Sequence, residues 1–448
     1  MPLSDTRIIA RSLRSRPVTT ATTVASVGVA VGLVLLLVSL QGAAEGALRR
    51  GAGNAHLLLS RDTGALTSVL NGVFYANPPS RAMRMSEYDA LLTRPRAPGP
   101  PLEAYVDWAI PTAIGDTFRG DPVVATTPEF FTSFEPAPGE PWAIDEGRMF
   151  EANFEMVVGA QIARRFDLNL GDQIVVVHGA SRRDQGGIIR AGGQNEAVDE
   201  SDPSLHTDTP FTIVGIMKPT ATPHDRVLAH DLESTWILHA YEARGVEPSE
   251  LKAGDLIDRE RLITGALIRV ATREGADASA ALPVAFEMIR RDPGGFTVAS
   301  PVDQINRLFR IVADVNLLLM AVTTLAALSG VSGVALAMIN SMSLRRRQIA
   351  VLRVLGASRG RVFSLIITES AIIGAIGAVV GVAIAAVGLR LSAGFVRAQL
   401  GLAIPTAPDW QWAIPLIASA VLLSALAGLG PALMAYRTSV LAHLKPLG

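Results

Sequence analysis

His224, His230 and His239 fall within 16 residues of one another, with Asp225 and Asp231 beside two of them. Histidine with carboxylate is a zinc-donor combination. The spacing matches no tight ligand motif, so these side chains are expected on the surface and no metal ligand is assigned. No Ser/His/Asp or paired-carboxylate set stands out, and no catalytic residue is expected. The chain has no cysteine, which excludes disulfides and thiolate metal sites. Only Lys218, Lys252 and Lys445 supply lysine, and none follows a glycine. A phosphate-cradling P-loop needs Gly-Lys. Any ATP used with this chain must therefore bind another polypeptide.

The stretch from Ser343 to Gly381 joins a basic segment to an apolar one. Arg345, Arg346, Arg347 and Arg353 lead to Gly356-Ala357-Ser358, then Arg359 and Arg361, then an almost unbroken apolar run. This spacing predicts a short surface helix, a turn and a membrane helix. Leu344, Val351 and Leu355, with Ile349 and Leu352 nearby, line one side of the first helix. Gly356 suits the left-handed position that ends it, and Ser358 suits the N-cap of the next. Arginines beside an apolar span belong on the cytoplasmic face. There they either hold topology and snorkel to headgroups, or dock a cytosolic partner. The two-residue break favours docking, because so short a joint transmits force.

The elements around this stretch follow from hydropathy. For the 448-residue chain, 49% hydrophobic residues and a mean hydropathy of +0.34 are high for a soluble protein, and its apolar residues are unevenly spread. A formal charge of −1 argues against nucleic-acid binding. Residues 1–17 form a basic cytoplasmic N-terminus. Residues 18–40 are charge-free and long enough to cross a bilayer. A cleaved secretory signal is the alternative, but its core would be shorter. Residues 307–340 give a stalk and second span, with Arg307, Arg310 and Asp314 in water. Residues 341–361 are the cytoplasmic helix and turn, and 362–389 the third span. An outer connector (390–412), a fourth span (413–436, flanked by Trp410 and Trp412) and a cytoplasmic C-terminus (437–448) complete the chain. Six arginines between spans two and three, against Arg390 and Arg397 in the connector, orient it with both ends inside.

Residues 41–306 differ in kind. Mixed charges and short β-branched runs indicate a folded α+β extracytoplasmic domain between helices 1 and 2, in two subdomains. Strands are expected at Ala55–Leu59, Val123–Thr126, Met156–Val158, Ile174–Val177, Phe211–Ile216 and Ala266–Val270. Helices are expected at Ser86–Thr93, Ala160–Phe166 and Ala278–Arg290. PRAPGPP at 95–101 is a stiff connector, and Gly179–Pro210 a long loop. In the third span Gly374, Gly377, Gly381 and Gly388 recur at helical spacing, which lets helices approach closely in lipid. Packing within one subunit and a dimer seam both remain open. Glu369 sits near the start of this span and is taken as interfacial.

Four spans, a large domain after the first, and Arg347-Gln348-Ile349-Ala350-Val351-Leu352-Arg353-Val354-Leu355-Gly356-Ala357 together resemble the FtsX/MacB-like permeases of ABC transporters, the type VII mechanotransmission architecture. Gln348 stands where the family usually has Glu. Glu369 matches its following acidic position. Thr127-Pro128-Glu129-Phe130-Phe131, Glu146-Gly147-Arg148, Val158-Gly159, Gly171-Asp172 and Phe211–Gly215 are similar to the MacB-like periplasmic core domain. The resemblance implies a non-enzymatic permease in the bacterial inner membrane, with ATP and Mg on a separate cytoplasmic ATPase. Arg345, Arg346, Arg347, Gln348, Arg353, Leu355 and Gly356 would couple to that ATPase. Gly374, Gly377 and Gly381 would pack helices. Implied partners are a second permease copy or paralogue, membrane lipid, and a periplasmic adaptor, lipoprotein or enzyme. Efflux or lipoprotein handling is the expected work. The alternative is an FtsX-like transmitter that regulates a periplasmic partner and moves nothing.

Overall fold

The computed structural model describes residues 5–95, 99–179, 186–191, 206, 209–245, 251–272, 280–354, 356–400 and 404–437. These form two units: an inserted domain built on 45–310 and a membrane unit built from the helices on either side of it. Much of the Gly179–Pro210 loop, and 96–98 of the proline connector, lie outside the described residues.

The inserted domain is organised by strands β1 (Leu57–Ser60), β2 (Met83–Arg84), β3 (Val106–Phe118), β4 (Asp121–Thr126), β5 (Ile144–Gly147), β6 (Glu155–Val158) and β7 (Gln173–Val175). It continues with β8 (Val177–His178), β9 (Gly187–Ile189), β10 (Phe211–Met217), β11 (Leu228–Asp231), β12 (Leu262–Ile263), β13 (Gly265–Val270) and β14 (Thr297–Ala299). Twelve of them make one mixed sheet in the order β14-β1-β13-β3-β4-β11-β6-β10-β7-β9, with β5 on β10 and β8 on β3. The 13 residues of β3 pair with β13, β4 and β8, so one strand runs through most of the sheet.

Both faces of the sheet are covered, and successive residues of one strand serve opposite cores. Leu57, Leu59, Ala266 and Ile268 pack with Tyr88, Leu91, Trp236 and Ile289. Those partners come from helices α4 (Met85–Thr93), α7 (Leu232–Arg244) and α8 (Leu282–Arg290). Leu58, Ile110, Ile114 and Leu267 pack on the other face with Val69, Phe130, Phe131 and Phe134, from α3 (Ala65–Gly72), α5 (Glu129–Thr132) and the chain after it. A third cluster joins Phe118, Met156, Ile174 and Phe211 to Ile162 and Ala163 of α6 (Ala160–Phe166). Burial on two faces explains the unbroken LLL of β1, since such strands lose the in–out alternation of a one-sided sheet.

In the membrane unit, α1 (Asp5–Arg14) precedes α2 (Pro17–Gly51), α9 (Pro301–Val354), α10 (Arg359–Leu400), α11 (Trp410–Ala427) and α12 (Leu429–Arg437). Four segments, Pro17–Gly51, Pro301–Asn340, Arg359–Val396 and Trp410–Tyr436, are long and apolar enough to span a bilayer. The stalk, second span and arginine-rich segment are one 54-residue helix, with no break between 340 and 341. Likewise α10 runs on to Leu400, beyond the expected end at 389. Val27, Val31, Val334, Met338, Ile373, Ala378 and Ala420 form the core of the unit.

Candidate functional site

The arginine-bearing end of α9 carries Arg345, Arg346, Arg347 and Gln348 on helical backbone. Their side chains, and Leu355 entirely, lie outside the described residues. Arg353 is half-buried in the last turn. The break that follows is short and defined. Gly356 adopts φ +96°, a left-handed conformation that is strained for any residue with a Cβ, and its N–H donates to the Arg353 carbonyl at 3.1 Å. Ser358 Oγ accepts from Arg361 N–H at 3.2 Å, so it caps α10.

The first turns of α10 are braced on two sides. Arg361 donates to Asp5 of α1 at 2.7 Å, and Arg359 lies over the Tyr436 ring of α12 at 5.8 Å. Val362 and Ile366 bury against Ala432 and Ala435. Two turns further, Glu369 is 5% exposed: its carboxylate is packed inside the unit and accepts a hydrogen bond from Ser12 Oγ at 2.5 Å. Arg16, Thr19, Thr20 and Met338 line the same small cleft. Ser12 and Arg16 were not legible as site residues because the N-terminal arginines have a sufficient reason in topology.

Gly374, Gly377 and Gly381 of α10 face helices of their own chain. A Cβ at Gly377 would stand 2.7 Å from the Val27 side chain, and one at Gly381 2.7 Å from Val31. Gly28 and Gly32 of α2 answer them: a Cβ at Gly28 would stand 3.2 Å from the Gly377 carbonyl oxygen, and one at Gly32 3.1 Å from that of Gly381. Gly374 meets Ser424 of α11, whose Cβ a side chain there would approach to 2.6 Å. These contacts are the close approach that small residues allow between helices in lipid, and they lie within one subunit.

The histidines depart from expectation. His224 and His230 are each 1% exposed, so their surface placement is corrected. Both lie inside the core for which β11 and the turn before it are built, and burial holds both below the ordinary histidine range. His239 instead meets Asp116, His178 and His206, three residues with no sequence proximity to it, in a group of donor atoms all within 4.8 Å. Burial pushes the Asp116 carboxyl up, but the three imidazoles outweigh it and hold the group well below its ordinary value.

Residues 20–285 match the MacB-like periplasmic core domain, and residues 320–440 match the FtsX-like permease C-terminal region. The first match alone covers more than half of the chain. A domain of this size between spans one and two, with the arginine-rich turn between spans two and three, is the architecture of an ABC-type membrane permease with a large periplasmic domain. The chain belongs to the FtsX/MacB-like permease family. No curated protein matches it.

Proposed function

We propose that this protein is the transmembrane subunit of an ABC transporter of the bacterial inner membrane, acting as a dimer with a separate cytoplasmic ATPase that binds ATP and Mg. Closure of the ATPase pushes on Arg345, Arg346, Arg347, Gln348, Arg353, Leu355 and Gly356. The push changes the posture of the periplasmic domain, which acts on a substrate presented outside the membrane, by efflux or lipoprotein extraction. The observation that carries this reading is the unbroken helix Pro301–Val354, about 80 Å long at 1.5 Å per residue. It offers no hinge in which displacement at the arginine end would be absorbed. The contacts of Arg361 with Asp5, Arg359 with Tyr436 and Glu369 with Ser12 support it, since they tie the far side of the turn to the rest of the unit. The large inserted domain favours transport over signalling alone.

The test is co-purification of the full chain with the ATPase encoded beside it, followed by reconstitution in vesicles. The ATPase is expected to remain with the chain. Replacing Arg345, Arg346, Arg347 and Arg353 together by Ala should lower permease-dependent ATP hydrolysis at least about tenfold, within the usual range of coupling between sites. Failure of any ATPase to bind, or wild-type hydrolysis in the variant, overturns the proposal. Accumulation of an envelope lipoprotein or toxic compound in a deletion strain is expected. A cell-wall defect without accumulation would favour the transmitter instead.

A further inference from the structure

Asp116, His178, His206 and His239 come from four separate segments of the periplasmic domain, and the fold has specific reasons for each position. Along β3, the pairing with β4 slips by one residue between Ile114 and Thr117. Such a bulge re-aims the side chain it contains, and Asp116 is within it. On the other edge of β3, Asp116 is the register partner of His178 in β8. The backbone N–H of His206 donates to the Val176 carbonyl at 3.1 Å, which fixes it beside β8. His239 projects from α7, one turn after Thr235.

All three imidazoles converge on the same oxygen. Asp116 Oδ1 lies 3.1 Å from His178 Nδ1, 3.6 Å from His239 Nε2 and 3.8 Å from His206 Nε2. Only the first separation is a hydrogen bond; the other two are too long. The Asp116 and His206 side chains are 4% and 2% exposed. Burying a carboxylate is costly unless it is paired or coordinates a metal, and the described basic side chains within 4 Å of Asp116 are the three imidazoles. A positive group shared among the four donors would balance the carboxylate.

A divalent cation fits that requirement. Zinc takes imidazole nitrogen and carboxylate oxygen at about 2.0–2.2 Å in a tetrahedron, whose edges are then about 3.3 Å. The separations of 3.1 to 3.8 Å from Asp116 bracket that edge, and the four donor atoms, all within 4.8 Å of one another, would draw together around the ion. Three nitrogen donors exclude the oxygen-preferring calcium and magnesium. His178, with a side chain 57% exposed, leaves a route from solvent. We propose that Asp116, His178, His206 and His239 bind one zinc ion. Four protein donors fill the tetrahedron and leave no position for a reacting water. The ion is a structural clip joining β3, β8, the segment at His206 and α7, independent of how the permease is coupled to ATP.

The full chain, purified in detergent through a tag without histidines, is stripped with chelator and titrated with zinc chloride. Metal content is read by plasma mass spectrometry. One zinc per chain is expected, with a higher melting temperature for the loaded domain and intense visible bands of tetrahedral geometry when cobalt(II) replaces zinc. His178→Ala removes an exposed ligand and should leave the fold intact; with Asp116→Asn, it should weaken zinc binding by at least about tenfold, the minimum expected even for an outer-shell change. His224→Gln, which alters a buried histidine away from the cluster, should bind as wild type. Three results would overturn the proposal: no zinc uptake at micromolar concentration, wild-type affinity in His178→Ala, or weak octahedral cobalt bands.

Discussion

His224 is the buried residue whose protonation state is best defined. Its Nε2–H donates to the Gly51 carbonyl at 3.1 Å, which leaves Nδ1 to accept from the Tyr75 hydroxyl at 2.8 Å. The rings of Tyr75, Phe134 and Trp142 surround it at 5.5, 5.2 and 5.9 Å. A neutral imidazole is fully satisfied there, and a charged one would be stripped of its hydration in this buried aromatic setting. Burial therefore lowers its pKa to about 4, against a small opposing effect of the Gly51 carbonyl. The unfolded chain takes up the proton near pH 6.5, and the folded chain only near 4. The unfolded state thus binds more protons between these values, and stability falls as pH drops through that window. At about 1.4 kcal/mol per unit the full loss is about 3 kcal/mol, with the stabilisation complete at pH 7. His224→Gln keeps a donor for Gly51 and an acceptor for Tyr75 without a titrating group. Melting of the periplasmic domain, followed through tryptophan fluorescence at pH 7 and 5, should show a larger acid loss in wild type than in this variant. Equal losses would refute the assignment.

At the scale of elements, the seam between α2 and α10 is where packing is least forgiving. Gly377→Val or Gly381→Val would drive a side chain into Val27 or Val31, and overpacking of this kind costs about 1–3 kcal/mol. Gly394→Val, on the same helix with nothing within 4 Å of its Cβ position, is the control. The seam variants should melt at lower temperature in detergent and the control should not; indistinguishable melting would mean that α2 yields easily. The glycine spacing was legible in sequence because its period is that of a helix, but the choice of partner was not, since an intrasubunit seam and a dimer seam demand the same residues. Short strands such as β4, β6 and β10 were legible through their β-branched runs. The longest strand, β3, was not: Pro111 and Gly115 punctuate it, and both residues usually mark strand ends or bulges. Helix α7 was hidden because it is apolar on most of its sides, with Trp236, Ile237, Leu238 and Ala240 all buried, and shows little amphipathic period. The zinc donors were beyond sequence reasoning for a related reason. Local spacing singled out His224, His230 and His239, whereas only pairing of β8 with β3 and docking of α7 bring His178 and His239 to Asp116.

For the whole molecule, transmission through α9 makes a prediction that family membership does not. If the helix works as a continuous rod, interrupting it should separate binding of the ATPase from response of the periplasmic domain. Four glycines inserted after Asn340 add a stretch that disfavours helix by about 1 kcal/mol per residue relative to alanine, while keeping Arg345–Arg347, Arg353 and Gly356 intact for docking. Four alanines at the same place lengthen the rod by about 6 Å and turn it by about 40°, but preserve its continuity. Both variants should retain the ATPase on co-purification, and both should keep the periplasmic domain's wild-type melting temperature and zinc content, since neither touches that domain. ATP-dependent cross-linking between paired cysteines introduced into the periplasmic domains of the two copies should be abolished in the glycine variant and kept, at least in part, in the alanine variant. Wild-type cross-linking in the glycine variant would show that motion reaches the periplasm by another route, through α2 or α10. In that case the chain would remain an FtsX/MacB-like permease and α9 would be only its anchor.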